Sequence, residues 1–398
     1  MACGIPVSEE ETGRELRCVF WTAAALKLQA KPIDRQFKSQ MDNKEMHTLR
    51  LRVVPELVES LESQEAIEQA AAILRGGGTV ALPTETVYGL GANALDPAAV
   101  AAIFAAKERP GWDPLIVHVC DAAMLETVAA EVPETARRLI SAFWPGPLTL
   151  LLPRSARIPD AVTAGRPLVG VRMPAHPVAL AVIRCAGVPV AAPSANRFGH
   201  TSPTTAEHVL EDLDGRIDAV MDAGPTACGV ESTVLDPTTS PMIVYRPGAI
   251  TLEQIREIAG PAEMFQESEA LRSTPREALP SPGFGLRHYA PRARLILVDA
   301  GEFLEDLAER LRDLARQYAG ERVGVMHPDE LAGDWRPGVA EVYAWGRWSE
   351  PEELAHRLFA GLRALDTAGC DVILCPQPRE VGIGVAIRDR LRKAATPG

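Results

Sequence analysis

Paired cysteines, long apolar runs and basic surface are all scarce in this chain of 398 residues. Its seven cysteines (3, 18, 120, 185, 228, 370 and 375) form no C-x-x-C pair. Free thiols in a reducing compartment are therefore expected, in preference to a disulfide frame or a zinc site. No apolar run approaches the ~20 residues that a membrane helix needs, and Glu9, Glu10 and Glu11 precede any apolar stretch, unlike a secretory signal. A cytoplasmic location without membrane association is the expectation. A net charge of −12 argues against a protein that coats nucleic acid non-specifically, although a local basic pocket stays open. Neither a Ser-His-Asp nor a Cys-His signature for a protein nucleophile is visible.

Hydrophobic residues make up 46% of the chain, enough for real cores, and the length allows two domains of ordinary size. Residues 1–45 mix charge and apolar residues without periodicity. Two readings stay open: Met46 is the natural start and 1–45 an added extension, or the extension is native. From Met46 the pattern is regular. Ser63 is expected to cap a helix with Ile67, Ala70, Ala71 and Leu74 on one stripe, stopped by Gly76–Gly78. Asp96-Pro97 predicts the start of a helix that ends near Arg109, ahead of Pro110. Strands are predicted at 115–119, 148–152, 168–172, 188–192, 217–221, 232–235 and 242–246. Thr251 with Gln254 reads as a capping box for a last helix ending at Gly260. This alternation predicts an α/β layer fold over 46–260. Residues 261–292 are polar and proline-punctuated, as a linker or lid would be. Residues 293–398 form a second, smaller α/β pattern, with strands at 293–300, 322–327 and 371–376 and helices at 302–318 and 350–367.

Strand ends in the first α/β pattern carry unusual polar residues. ALPTETVYGLGA (81–92) leaves an apolar strand through Thr84, Glu85, Thr86 and Tyr88, yet has neither the G-x-x-x-x-G-K-[ST] of a P-loop nor the G-x-G-x-x-G of a dinucleotide fold. Lys107 ends the apolar stripe Val100, Ile103, Phe104. Taken alone it reads as a snorkelling lysine at a helix C-terminus, just as His118 inside LIVHV reads as a core histidine. Arg172, at the end of LVGVR, is harder to dismiss because it keeps its charge and needs an anion or many acceptors. Ser194 and Asn196 follow the strand VPVAA. Residues 202–205 (SPTT) begin a helix whose N–H groups could meet a phosphate. Glu231, Ser232 and Thr233 stand at one strand start and Arg246 at another strand's end. Ligands of open α/β sheets bind outside strand ends, so one polar cavity accounts for the set.

Six motifs in order carry a family resemblance: PTETVYGLGA, K-x-R-P at 107–110 followed by PLIVHV, WPGPLT at 144–149, VRMP at 171–174, PSAN at 193–196 and ESTV at 231–234. Over about residues 58–260 the chain resembles the threonylcarbamoyl-AMP synthase (YrdC-like) family. SPGFGLRHYAP (281–291) with the second α/β unit resembles its long, two-domain form. The resemblance implies a YrdC-like twisted mixed sheet with a polar central cavity, followed by a smaller Rossmann-like α/β domain. It implies that L-threonine, bicarbonate and ATP, with Mg2+ on the phosphates, give threonylcarbamoyl-AMP and pyrophosphate. The product would pass to a tRNA threonylcarbamoyl transferase, without stable nucleic-acid binding by this chain. Lys107 and Arg109 would be catalytic. Those two with Asp113, Leu168, Ser194, Asn196, Ser202, Arg246 and Tyr289 would bind ATP, while Thr86, His118, Arg172, Ala192 and Ser232 would bind threonine. No protein residue is expected to ligate a metal. The glycines after Tyr88 would let the backbone approach the ligand.

Two positions depart from the family pattern. Asp113 stands where Asn is usual, which puts an extra carboxylate near phosphate, and Phe284 replaces a usual Met. Two other classes compete. An RNA-binding module would use Lys107, Arg109, Arg172 and Arg246, against an acidic total and few aromatic platforms. A carbamoyl transferase of the same fold would carry cysteine-rich zinc motifs and an acylphosphatase-like segment, and neither is visible.

Overall fold

Ser60 caps the first long helix, Leu61–Arg75, by accepting a hydrogen bond from Ser63 N at 3.3 Å. The computed structural model in which this is seen describes residues 47–266 and 288–396, apart from 302, 332, 334, 336 and 337. The expected cap, Ser63, lies in the helix's first turn, buried, with its hydroxyl 2.9 Å from that of Ser60. The periodicity concealed that turn because Leu61 is 77% exposed, so the core-facing stripe starts only at Ile67. From there Ile67, Ala70, Ala71 and Leu74 are buried as a 3.6-residue period requires. The Thr251–Gln254 capping box forms in full.

The first sheet has eleven strands: β1 Leu49–Arg52, β2 Val80–Leu82, β3 Gly89–Asn93, β4 Ile116–His118, β5 Leu148–Pro153, β6 Leu168–Arg172, β7 Val190–Ala191, β8 Ala219–Asp222, β9 Thr233–Asp236, β10 Met242–Arg246 and β11 Ala262–Met264. They lie in the order β1-β8-β2-β3-β7-β4-β6-β5-β9-β10-β11, with parallel and antiparallel pairs interspersed. Leu148, Leu150 and Leu152 are fully buried, as are Val169 and Val171, and each such side chain contributes about 1.5–3 kcal/mol on burial. Residues 83–88 join β2 to its antiparallel neighbour β3, so the polar run is a hairpin loop in mid-sheet. Gly91 serves packing and not ligand approach: a Cβ there would stand 2.8 Å from Val190 Cγ1 and 3.1 Å from Val80 O. Gly89 does line the cavity described below, where a Cβ would meet Ala192 Cβ at 3.3 Å.

The second sheet is wholly parallel: β12 Arg294–Asp299, β13 Val323–Pro328, β14 Glu341–Gly346 and β15 Val372–Gln377, in the order β12-β15-β13-β14. β14 and the helix Gly384–Ala395 were not foreseen. β14 is an edge strand whose first four residues are partly exposed. In the helix, a fully buried arginine, Arg390, interrupts the apolar stripe. Two helices, Pro351–Thr367 and Gly384–Ala395, bring the second layer against the first. Leu354, Phe359 and Ile387 share one apolar cluster with Val87 and Val230 of the first sheet's loops. Arg363 donates to Thr201 O at 2.6 Å and pairs with Asp212 at 2.7 Å and Glu211 at 3.0 Å. Gly229, at φ 74°, meets the second layer so closely that a Cβ would fall 2.4 Å from Ala355 O.

Candidate active site

A cavity opens at the ends of the central strands. The β2–β3 hairpin supplies Thr84 and Thr86; β4 and β6 supply His118 and Arg172. Ala192 and Ser194 come from the loop after β7. Glu231 and Ser232 stand before β9, Arg246 ends β10, and His288 and Tyr289 follow from the segment ahead of β12. Arg109 reaches it from beyond the end of the helix Pro97–Lys107.

At one end, the Arg172 guanidinium donates from Nη1 to Thr86 Oγ1 at 2.9 Å and from Nε to Gly146 O at 3.1 Å. Its Nη2 stands 2.6 Å from Glu85 Oε1, a contact of charge without the alignment of a hydrogen bond. Thr84 holds the hairpin by bonding to Thr86 Oγ1 at 2.8 Å and to Val87 O at 2.6 Å. His118 is buried beside Arg172, and burial first and that cation second push its pKa down to about 3. It is therefore a neutral imidazole, and its Nδ1 has no partner among the described residues.

At the other end, cations crowd together. Lys107 is 1% exposed and points its ammonium at Ser194 O (2.6 Å) and Asn196 O. Burial and neighbouring Arg109 hold its pKa well below the usual lysine value. Arg246 donates to Ser232 O and Ser232 Oγ, each at 3.0 Å, and Ser232 also bonds Thr149 at 2.8 Å. His288 reports the field: burial lowers its pKa well below the ordinary value, and Arg109, Lys107, Lys393 and Arg246 lower it further. Arg109 has a carboxylate partner, Asp113, at 2.9 Å, as Lys393 has Asp389 at 3.1 Å. The non-family aspartate thus answers an arginine. Asn196 Oδ1 and His288 Nδ1 are buried without partners among the described residues. An interior with this much positive charge and open polar capacity suits an anion.

Most sequence-predicted residues meet here: Thr86, Arg109, His118, Arg172, Ala192, Ser194, Ser232, Arg246 and Tyr289 line the cavity. Lys107 and Asn196 lie just behind it through the Ser194–Asn196 backbone. Asp113 backs Arg109, and Ser202 bonds Glu231. Leu168 is not brought to this cavity; it lines a separate one with Pro114, Leu115, Leu151 and Tyr245. Glu85 and Glu231 stood among the polar strand-end residues, and His288 beside Tyr289 in its motif, but sequence reasoning assigned none of the three a role. It also missed Arg390, whose only signal was its charge on an otherwise apolar helical face. Of the expected linker or lid at 261–292, residues 267–287 lie outside the described residues.

A mixed α/β sheet with a buried polar cavity, an arginine at each end, is the architecture of proteins whose sites suit small anionic molecules at strand ends. The comparisons agree on which. A family model described as telomere recombination matches residues 72–248, and one described as threonylcarbamoyl-AMP synthase, C-terminal domain, matches 250–396. The chain is 44% identical over 331 residues to the threonylcarbamoyl-AMP synthase of Pyrococcus abyssi, covering 83% of this chain and 94% of that one. It is 46% identical over 335 residues to the Bacillus subtilis enzyme of the same name, covering 83% and 92%. The crystal structure of P. abyssi Sua5 complexed with L-threonine superimposes with a TM-score of 0.78 at 41% identity, covering 87% of this chain and 97% of that one. The chain belongs to the threonylcarbamoyl-AMP synthase family.

Proposed function

We infer that this chain is an L-threonylcarbamoyladenylate synthase, forming threonylcarbamoyl-AMP and pyrophosphate from L-threonine, bicarbonate and ATP. The observation that carries the reading is the two-ended cavity: a hydroxyl-flanked arginine, Arg172, at one end and the cation cluster around His288 at the other. An amino acid and a triphosphate are the pair such ends would seat. In this reading Arg172 takes the threonine carboxylate in place of Glu85, and Thr86, Ser232 and neutral His118 complete the amino-acid end. Bicarbonate, taking up a proton, loses water to give carbon dioxide, and the threonine amine adds to it, releasing a proton, to give a carbamate. A carbamate oxygen then forms a bond to the α-phosphorus as the bond to the β-phosphate oxygen breaks, and pyrophosphate leaves. No protein nucleophile is required; the work is alignment and charge compensation. Lys107, Arg109 and Arg246 offset phosphate charge, with Ser194, Asn196, Ser202 and Tyr289 on the nucleotide. Both oxygens of Glu231 are already engaged by Ser202 and Arg390, and the described residues hold no group of three or more His, Cys, Asp or Glu placed to grip a metal. Mg2+ would therefore ride on phosphate oxygens, neutralising their charge, without a protein cage.

The same reading divides the chain into a catalytic domain at 46–260, a linker and a C-terminal domain from 293, and hands the product to a tRNA threonylcarbamoyl transferase. Among the described residues no helix is long and apolar enough to cross a membrane. The test is incubation with ATP, L-threonine and bicarbonate, followed by mass spectrometry for the adenylate and assay of pyrophosphate. Threonine-dependent adenylate is the expected result; ATP turnover that ignores threonine would overturn the assignment.

A further inference from the structure

Arg390, in the helix Gly384–Ala395 of the second layer, is 1% exposed, and two of its three nitrogens bond residues of the first layer. Its Nε pairs with Glu231 Oε2 at 2.6 Å and its Nη2 donates to Pro247 O at 3.0 Å; only Nη1 turns home, to Asp389. Its guanidinium carbon stands 5.2 Å from the centre of the Tyr289 ring. The two first-layer residues it grips each adjoin a cavity residue in the chain. Glu231 precedes Ser232, and Pro247 follows Arg246. Those neighbours are themselves joined, Arg246 donating to both Ser232 O and Ser232 Oγ. Glu231 carries the link one step further, since its other oxygen accepts from Ser202. All three nitrogens of one buried fork are thus engaged, and two of them hold the backing of the cationic end of the cavity.

We propose that Arg390 is a positioning residue for nucleotide binding: through Glu231 and Pro247 it sets Ser202 and Arg246, so that the C-terminal domain completes the active site. The amino-acid end has its own support. Arg172 is held by Thr86, Gly146 and Glu85, and Ser232, although Arg246 also touches it, keeps its separate bond to Thr149. Loss of Arg390 should therefore act on one substrate more than the other. A buried carboxylate left without its partner moves or takes up a proton, and Ser202 and Arg246 move with it. The inference rests on the adenylating reading above, but direct ligand binding tests it separately from turnover.

The experiment uses the full chain with Arg390→Met and Arg390→Lys. Binding of ATP and of L-threonine is measured separately by calorimetry, alongside thermal midpoints and adenylate formation. For Arg390→Met the expected result is ATP affinity lower by about tenfold or more, as for truncation of a buried charge partner, with threonine affinity within about threefold. Arg390→Lys, which keeps the charge but loses the fork, should fall between Met and wild type. If Arg390→Met does not fold, the Lys variant carries the comparison. Glu231→Gln on top of the Arg390 change should cost no further ATP affinity, because the two act as one unit. Equal losses for both ligands, unchanged ATP affinity, or additive losses in the double variant would each overturn the proposal. A wild-type chain that binds both ligands yet makes no adenylate would instead overturn the functional reading.

Discussion

The two ends of the cavity hold their cations in different company. Arg172 has a carboxylate, Glu85, at 2.6 Å, so the amino-acid end is balanced before any ligand arrives. At the other end Lys107 and Arg246 bond only carbonyl and hydroxyl oxygens, with no ion pair within 4 Å among the described residues. Arg109, by contrast, is matched by Asp113. A carboxylate ligand at Arg172 exchanges one ion pair for another, which favours selectivity over raw affinity. A polyphosphate at the Lys107 end meets positive charge whose desolvation is already complete, and there the return in binding and transition-state stabilisation is greater.

The sharpest way to break this contrast is to remove the matched arginine. Arg172→Ala should cost roughly 2–5 kcal/mol of threonine affinity and leave ATP binding nearly unchanged. Parallel losses for both substrates, measured by calorimetry, would erase the distinction between the ends. Lys107→Ala should slow adenylate formation by about 10²–10³-fold, with single-turnover kinetics as the measure. If only the melting temperature falls while turnover holds, Lys107 is a helix-end cation and nothing more.

A third test asks how dry the amino-acid end is. Burial above all pushes the pKa of His118 down from 6.5 to about 3, and that of His208, in the helix Ala206–Leu213 away from the cavity, to about 4. Between those values and 6.5 the unfolded chain binds more protons, so their contribution is complete above about pH 6.5 and is lost as pH falls toward 4. Each histidine adds at most about 1.4 kcal/mol per pH unit to that slope. His118→Gln should flatten the dependence of thermal midpoint on pH between 6 and 4.5; an unchanged slope would place His118 in contact with water. The smallest effect belongs to Asp113→Asn. Releasing Arg109 toward the nucleotide should tighten ATP by less than about 1 kcal/mol while lowering the melting temperature by a few degrees. A tenfold loss of ATP affinity would mean that Asp113 serves the nucleotide directly.

Much of this site was legible before the fold was known. Arg172 stood out because a charged group at the end of an apolar strand needs an anion, and Ser194, Ser232 and Arg246 because they sat where strands end. Ser63 misled because the cap belonged to a turn whose first leucine faces water. Gly91 misled because a strand–strand approach and a ligand approach both call for a missing Cβ. Leu168 joined the list through a family likeness alone, and it packs in a different cavity.

The linear chain by itself determined the alternation of strands and helices, the strand ends at which polar groups appear, and the family those motifs mark, because periodicity and turn chemistry act between near neighbours. Which charges meet was decided only by the tertiary structure. Residues 85 and 172 are brought together by the β2–β3 loop, which reaches past β7 and β4 to the end of β6, and residues 231 and 390 by a docked helix of the second layer. An ion pair across 87 or 159 positions leaves no local trace. Burial, which lowers the pKa of Lys107 and His118, likewise depends on what the rest of the chain places around them.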